Sequence, residues 1–318
     1  MTVGVFDSGV GGLTVLKSLL EARLFDELVY YGDTARVPYG VKDKDTIIRF
    51  SLEALEFFKP FKLDLLVIAC NTVSAYALDQ LRKNADFAVF GVIDAGILAV
   101  KEALKDKNSQ ILVLGTRATI SSKQYQKRLL RAGFNNITAL ATGLFVPMVE
   151  EGIFEGQLVE SLFDHYFKPL NLRQNLDLKE ANSLINSKNT SLFEEKLLLE
   201  RSSHTNSSHC FTELQTKNFN QEARLNKRES TKEFKEDKHS QAKIDALILG
   251  CTHFPLLSKS LQGYFGEKTR LIHSGDAIAD QLQRKFKLKR QRLKSKVKFY
   301  ASSDLRALKN TAKLWLGV

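Results

Sequence analysis

The sequence predicts an α/β fold with mainly parallel sheets, built as two related halves. Three observations predict it. Short β-branched runs alternate with amphipathic helical stretches. One strand-plus-cysteine motif occurs twice. The chain of 318 residues is long enough for two medium α/β domains or one large one.

In chain order, the strand candidates are Val3–Phe6, Leu28–Tyr31, Leu65–Ala69, Val89–Ile93, Ile111–Leu114, Ile137–Ala141, Ala246–Leu249, Arg270–Ile272 and Val297–Tyr300. Helical periodicity falls between them at Leu13–Leu20, Thr46–Phe58, Ala75–Lys83, Gly96–Leu104, Lys123–Ala132 and Gln157–Phe167. From about residue 171 to 243 the composition turns to Ser, Asn, Lys and Glu, with 13 basic against 11 acidic residues. That stretch reads as a loose polar insertion without chemistry. Within it, Ser191-Leu192-Phe193-Glu194 has capping-box spacing ahead of Leu197-Leu198-Leu199, which predicts one short helix.

A hydrophobic content of 43% with 26% charged residues is that of an ordinary globular protein. No run approaches the roughly 20 apolar residues of a membrane span. The start Met1-Thr2-Val3-Gly4-Val5-Phe6 lacks the basic region of a signal peptide, so a cytoplasmic location is expected and no membrane partner. Three cysteines without a C-x-x-C pair argue against a disulfide scaffold and against a metal site. The net charge of +11 raises a nucleic-acid-binding module as an alternative class. Much of the excess lies in Arg284–Lys294, where a solvated helix end and loop is the plainer reading and a surface attracting anions the other. Because Phe286 is the only aromatic there, nucleic acid is not expected as the main partner.

The repeat carries the chemistry. Asp64-Leu65-Leu66-Val67-Ile68-Ala69-Cys70-Asn71-Thr72 matches Asp245-Ala246-Leu247-Ile248-Leu249-Gly250-Cys251-Thr252-His253. Each copy is an acidic start, a buried strand, a small residue, then a cysteine and small polar groups. In open α/β sheets ligands sit beyond the carboxyl ends of strands, so both thiols would flank one cleft. Two facing thiols suit removal of a proton from one side of a carbon and delivery to the other. The ordinary thiol pKa near 8.5 is adjustable towards either role. His253 either polarises Cys251 or caps the following helix. Asp7, at the end of the first strand, either assists Cys70 or is a helix N-cap.

Gly9, Gly11 and Gly12 fit a turn that brings backbone close to a ligand, with N–H groups for a carboxylate. Their G-x-G-G spacing is not the dinucleotide fingerprint, and no P-loop occurs. Ser8, Asn71, Thr72, Thr116, Thr119 and Thr252, with Pro38-Tyr39-Gly40, collect small polar groups at strand-to-helix turns. Individually they are caps or turn residues. Gathered at one sheet edge, they make an amino-acid pocket that needs no metal or cofactor.

Five ordered segments resemble the glutamate racemases of the aspartate/glutamate racemase superfamily. They are Phe6-Asp7-Ser8-Gly9-Val10-Gly11-Gly12, Val37-Pro38-Tyr39-Gly40, Ala69-Cys70-Asn71-Thr72-Val73-Ser74, Gly115-Thr116-Arg117-Ala118-Thr119 and Gly250-Cys251-Thr252-His253-Phe254-Pro255-Leu256-Leu257. The resemblance covers residues 1 to about 170 and about 244 to 318; the insertion departs from it. It implies two pseudo-symmetric α/β domains with the active site at their interface: 1–93 with 278–318, and 94–277 containing the insertion at about 171–243. It implies interconversion of L- and D-glutamate, supplying D-glutamate for peptidoglycan, with no cofactor and no metal. By that resemblance Cys70 deprotonates D-glutamate, Cys251 deprotonates L-glutamate, Asp7 assists Cys70, His253 assists Cys251 and Glu150 supports the histidine. Asp7, Ser8, Tyr39, Gly40, Asn71, Thr72, Thr116, Thr119, Thr252 and His253 fall on substrate-binding positions, and a homodimer is expected. An aspartate-specific or other acid-specific relative is the alternative within the enzyme class.

Overall fold

The nine strands among the described residues all run parallel, in two sheets whose strand orders repeat. The computed structural model describes residues 1–170 and 244–317. The insertion at about 171–243, its expected short helix and Cys210 lie outside the described residues. The first sheet holds β1 (Thr2–Asp7), β2 (Glu27–Gly32), β3 (Leu65–Ile68), β4 (Ala88–Gly91) and β9 (Lys296–Ala301), in the order β4-β3-β1-β2-β9. The second holds β5 (Ile111–Gly115), β6 (Ile137–Ala141), β7 (Ala246–Gly250) and β8 (Arg270–His273), in the order β6-β5-β7-β8. Reading β4-β3-β1-β2 beside β8-β7-β5-β6 pairs β1 with β5, β2 with β6, β3 with β7 and β4 with β8. The sequence repeat is therefore a repeat of topology, with Cys70 and Cys251 at equivalent strand ends.

Near-continuous apolar strands are what a parallel sheet covered on both faces requires. Leu65–Ile68, Ile111–Gly115 and Ala246–Gly250 are buried throughout. Each sheet has its own core. In the first, Phe6, Val29, Tyr31 and Ile68 pack with Ile47, Leu55 and Phe58 of helix Lys44–Phe58. That helix starts at Asp43, whose carboxylate accepts the Thr46 N–H at 2.9 Å, and its buried residues keep the helical spacing. In the second, Val113, Ile137 and Ile248 pack with Ile93, Ile97 and Val100 of helix Val92–Ala103. Helix Ser274–Phe286 packs against both Val92–Ala103 and Leu13–Ala22. No helix among the described residues is long and apolar enough to cross a membrane.

Several boundaries differ from expectation. The fourth strand stops at Gly91, and Val92 and Ile93 open helix Val92–Ala103, so the expected strand Val89–Ile93 and helix Gly96–Leu104 share a wrong boundary. The ladder to β3 ends at the Ile68–Gly91 pair, so β-branched residues beyond it have no strand to pair with. Burial of Val92 and Ile93 is satisfied equally well in a helix. The expected helix Ala75–Lys83 is two, Asn71–Tyr76 and Leu78–Asn84, the first starting directly after Cys70. The expected helix Lys123–Ala132 is found as Gln124–Arg131, and Lys123, with φ of 56°, separates it from a short helix Arg117–Ser121 that was not expected. Helices Phe145–Glu150, Ser258–Phe265, Ser274–Phe286 and Leu305–Leu316 had no counterpart in the sequence reading.

Candidate functional site

Five strands deliver polar residues to one level. Register places Asp7 beside Gly32, and the Ala69 N–H donates to the Phe6 carbonyl at 2.9 Å. The first sheet therefore presents Asp7, Asp33 and Cys70 together. In the second sheet Gly115 pairs with Gly250, so Thr116 and Cys251 leave adjacent strands at the same height. These loops meet across the two sheets. A Cβ on Gly11 would lie 2.3 Å from Thr252 Oγ1 and 2.6 Å from His253 ring atoms, and one on Gly40 would lie 2.7 Å from the Thr116 side chain. Only glycine permits those approaches. The Thr14 hydroxyl donates to the Thr252 carbonyl at 2.6 Å, and Thr72, Thr116 and Thr119 join their hydroxyls in a triangle of 3.0 Å contacts.

Cys70 is buried, and its thiol donates to Ser8 Oγ at 3.3 Å. Burial pushes its pKa up to about 12; the Asp7 charge adds to the rise, Cys251 adds a little more, and the Ser8 contact opposes it. Asp7 is almost fully buried, and desolvation raises its pKa. The nearby His253 charge and the Gly9, Gly12 and Thr252 hydrogen bonds pull the other way. The N-cap reading fails for Asp7, because helix Leu13–Ala22 begins after Gly12. Instead its Oδ2 accepts the Gly9 N–H at 2.9 Å. The glycine turn thus spends N–H groups on Asp7 that the sequence offered to a ligand.

Cys251 Sγ lies 3.7 Å from His253 Nδ1, and His253 Nε2 lies 2.9 Å from Glu150 Oε1. The helix-cap reading fails for His253 as well, since its ring caps nothing. Burial works against a charged ring, but the hydrogen bonds and charges of Cys251 and Glu150 outweigh it and lift the pKa to about 10. Trp315, from helix Leu305–Leu316, packs against the His253 ring in a T-shaped pair with centroids 6.0 Å apart.

Tyr39 is buried and donates its hydroxyl to Asp33, which also accepts Arg36 Nε at 2.7 Å. With that hydroxyl engaged, the Tyr39-Gly40 turn has its backbone left to offer a ligand. Asn71 Oδ1 accepts the Tyr125 hydroxyl at 2.7 Å. Two buried polar atoms beside Cys70, Asn71 Nδ2 and Asp7 Oδ1, have no hydrogen-bond partner among the described residues. One is a donor and one an acceptor, and unsatisfied buried groups of this kind mark places where a ligand or water completes the site.

All thirteen residues singled out from the sequence lie at these strand ends or their immediate supports. Asp33, Arg36, Tyr125 and Trp315 were missed. Asp33 had a signal, following Gly32 at a strand end as Ser8 follows Asp7. Tyr125 and Trp315 had none, because their partners are distant in sequence.

The family model described as Asp/Glu/Hydantoin racemase matches residues 8–165. A glutamate racemase from Campylobacter jejuni subsp. jejuni is 51% identical over 318 residues, covering 100% of this chain and 99% of the relative. A crystal structure of glutamate racemase from that organism, also at 51% identity, aligns over 100% of this chain and 99% of its own with a TM-score of 0.76. The structure of glutamate racemase from Francisella tularensis in complex with D-glutamate is 26% identical, with coverage of 100% and 94% and a TM-score of 0.68. On sequence across its full length and on fold, the chain belongs to the glutamate racemase family.

Proposed function

We propose that the protein interconverts L- and D-glutamate by taking the α-proton onto one cysteine and delivering a proton from the other. The observation that carries this is the pair Cys70 and Cys251 at equivalent ends of β3 and β7, Cys70 against the Ser8 hydroxyl within reach of the Asp7 charge and Cys251 against His253. With L-glutamate bound, Cys251 takes the α-proton from one face while Cys70 delivers its own to the other. With D-glutamate the roles exchange. Cys70 suits the donor role at rest, because burial keeps it a neutral thiol. His253, cationic at neutral pH, puts positive charge beside Cys251 Sγ and stabilises negative charge arising there during transfer. Glu150 orients and charges that ring, and Asp7 assists Cys70.

Substrate recognition is assigned to the surrounding polar groups. Asn71 Nδ2 supplies a donor for a carboxylate and Asp7 Oδ1 an acceptor for the ammonium. Ser8, Thr72, Thr116, Thr119 and Thr252, with the Tyr39-Gly40 backbone, complete a pocket suited to an acidic amino acid. The same reading places the enzyme in the cytoplasm, as a homodimer serving peptidoglycan synthesis. Mass measurement in solution tests the dimer.

Incubation with L-glutamate in D₂O, without added cofactor and with L-aspartate in parallel, tests the activity. Loss of optical rotation with deuterium entering the α-position is expected for glutamate. Turnover of aspartate alone would change the substrate, and inertness towards both in folded, reduced protein would refute the reading.

A further inference from the structure

From the last turn of helix Ser274–Phe286 into β9 the chain carries Arg284, Lys285, Lys287, Lys289, Arg290, Arg292, Lys294, Lys296 and Lys298, with no acidic residue from 281 to 303. Arg284 is engaged by Glu102 and Lys298 by Glu27, while Lys285 lies over the Phe90 ring. The other six are exposed and form no ion pair among the described residues. The loop is pinned from behind. The Leu288 N–H donates to the Gln283 carbonyl at 2.9 Å, the Gln291 N–H to the Arg23 carbonyl at 2.7 Å, and the Ser295 hydroxyl to the Phe25 carbonyl at 2.6 Å. Gln291 Nε2 also donates to Asp26 Oδ1 at 3.1 Å, and the charge of Asp26 is paired with the Met1 ammonium.

The anchors leave Arg292-Leu293-Lys294 as the outward tip, and Leu293 is 81% exposed. We infer that this loop is a docking surface for an anionic lipid bilayer. Cations alone would suit any polyanion. A leucine held in solvent between two of them gains nothing from a phosphodiester chain, whereas a bilayer offers anionic headgroups and an apolar boundary just beneath. The expectation of no membrane partner rested on the lack of a spanning segment and did not address surface docking. Position supports the inference: β9 runs parallel to β2, so the loop entering it lies at the sheet end opposite Asp7 and Cys70. Docking there leaves the candidate active site facing away from the surface.

Full-length protein is sedimented with vesicles of phosphatidylglycerol and phosphatidylethanolamine, with pure phosphatidylcholine vesicles and a 20-base-pair duplex DNA as comparisons. Binding to the anionic vesicles, weakened by salt, is expected. Each cation removed should weaken it about fivefold, so R290Q/R292Q/K294Q should lose about a hundredfold. Leu293→Ser should lose about fivefold at unchanged net charge. Unchanged racemase activity in these variants checks that they remain folded. No binding to anionic vesicles overturns the inference. So does vesicle binding indifferent to the triple substitution or to Leu293→Ser. Duplex binding as tight as vesicle binding, with Leu293→Ser silent, would show a general polyanion site instead.

Discussion

Replacing Glu150 by Gln isolates the charge that supports His253. The amide keeps an oxygen acceptor for Nε2 at the present 2.9 Å and removes only the negative charge. A buried carboxylate at that distance shifts a partner by up to about three pKa units. The Glu150 side chain is 43% exposed, however, so solvent screens much of its effect. A fall of about one unit is expected, from about 10 to about 9, equivalent to about 1.4 kcal/mol. The linkage has a definite sign. His253 is raised above its ordinary 6.5, so its contribution to stability is complete below that value and is lost as pH rises through 10. E150Q should therefore be less stable than the parent by about 1.4 kcal/mol at pH 6 and should converge on it above pH 10. Imidazole NMR titration of ¹⁵N-histidine-labelled protein, with the resonance assigned by its loss in H253N, measures the shift. Urea unfolding at the two pH values measures the linkage. An unmoved midpoint, or a stability difference independent of pH, would refute Glu150's share in raising His253.

Cys70→Ser and Cys251→Ser should each abolish net racemisation, measured by polarimetry from either enantiomer; near-normal turnover in either variant would defeat the two-thiol assignment. The two enantiomers are equal in free energy, so kcat/KM must remain the same in both directions in every variant, and only kcat and KM separately can differ. With its pKa up to about 12, Cys70 should be alkylated by iodoacetamide at pH 8 at least about a hundredfold more slowly than a free thiol, rising about tenfold per pH unit; mass mapping of its peptide follows this. Gly11→Ala forces a Cβ against Thr252 and His253 and should cost about 1–3 kcal/mol of stability together with a larger loss of kcat/KM than of folding. Asp33→Ala removes the acceptor of both Arg36 and Tyr39 and should cost about 3 kcal/mol in urea unfolding, the low end for a buried pair because Arg36 is partly exposed.

The sequence by itself determined the fold class, the repeated strand and the cysteine at each strand end. Those features are local: a buried parallel strand must be written as an apolar run, and the residue after it must stand at the sheet edge. It also supplied Asp7, His253 and Glu150, the last from family resemblance alone. Tertiary structure decided between the readings that local pattern left open. His253 turns from a cap into the centre of a triad because Glu150, 103 positions earlier, arrives at its Nε2 while Cys251 holds its Nδ1. Asp7 becomes a buried acceptor because the glycine turn folds back onto it, and Tyr39 gives its hydroxyl to Asp33 instead of a ligand. Val92 and Ile93 turn helical because the neighbouring strand ends beside Gly91. For His253, Val92 and Ile93 the deciding group lies far away in the chain; for Asp7 and Tyr39 the partner is a near neighbour, and packing supplies the burial of both. Leu293 is the converse: an ordinary apolar letter in the sequence, it acquires meaning only where the anchored loop holds it out in solvent.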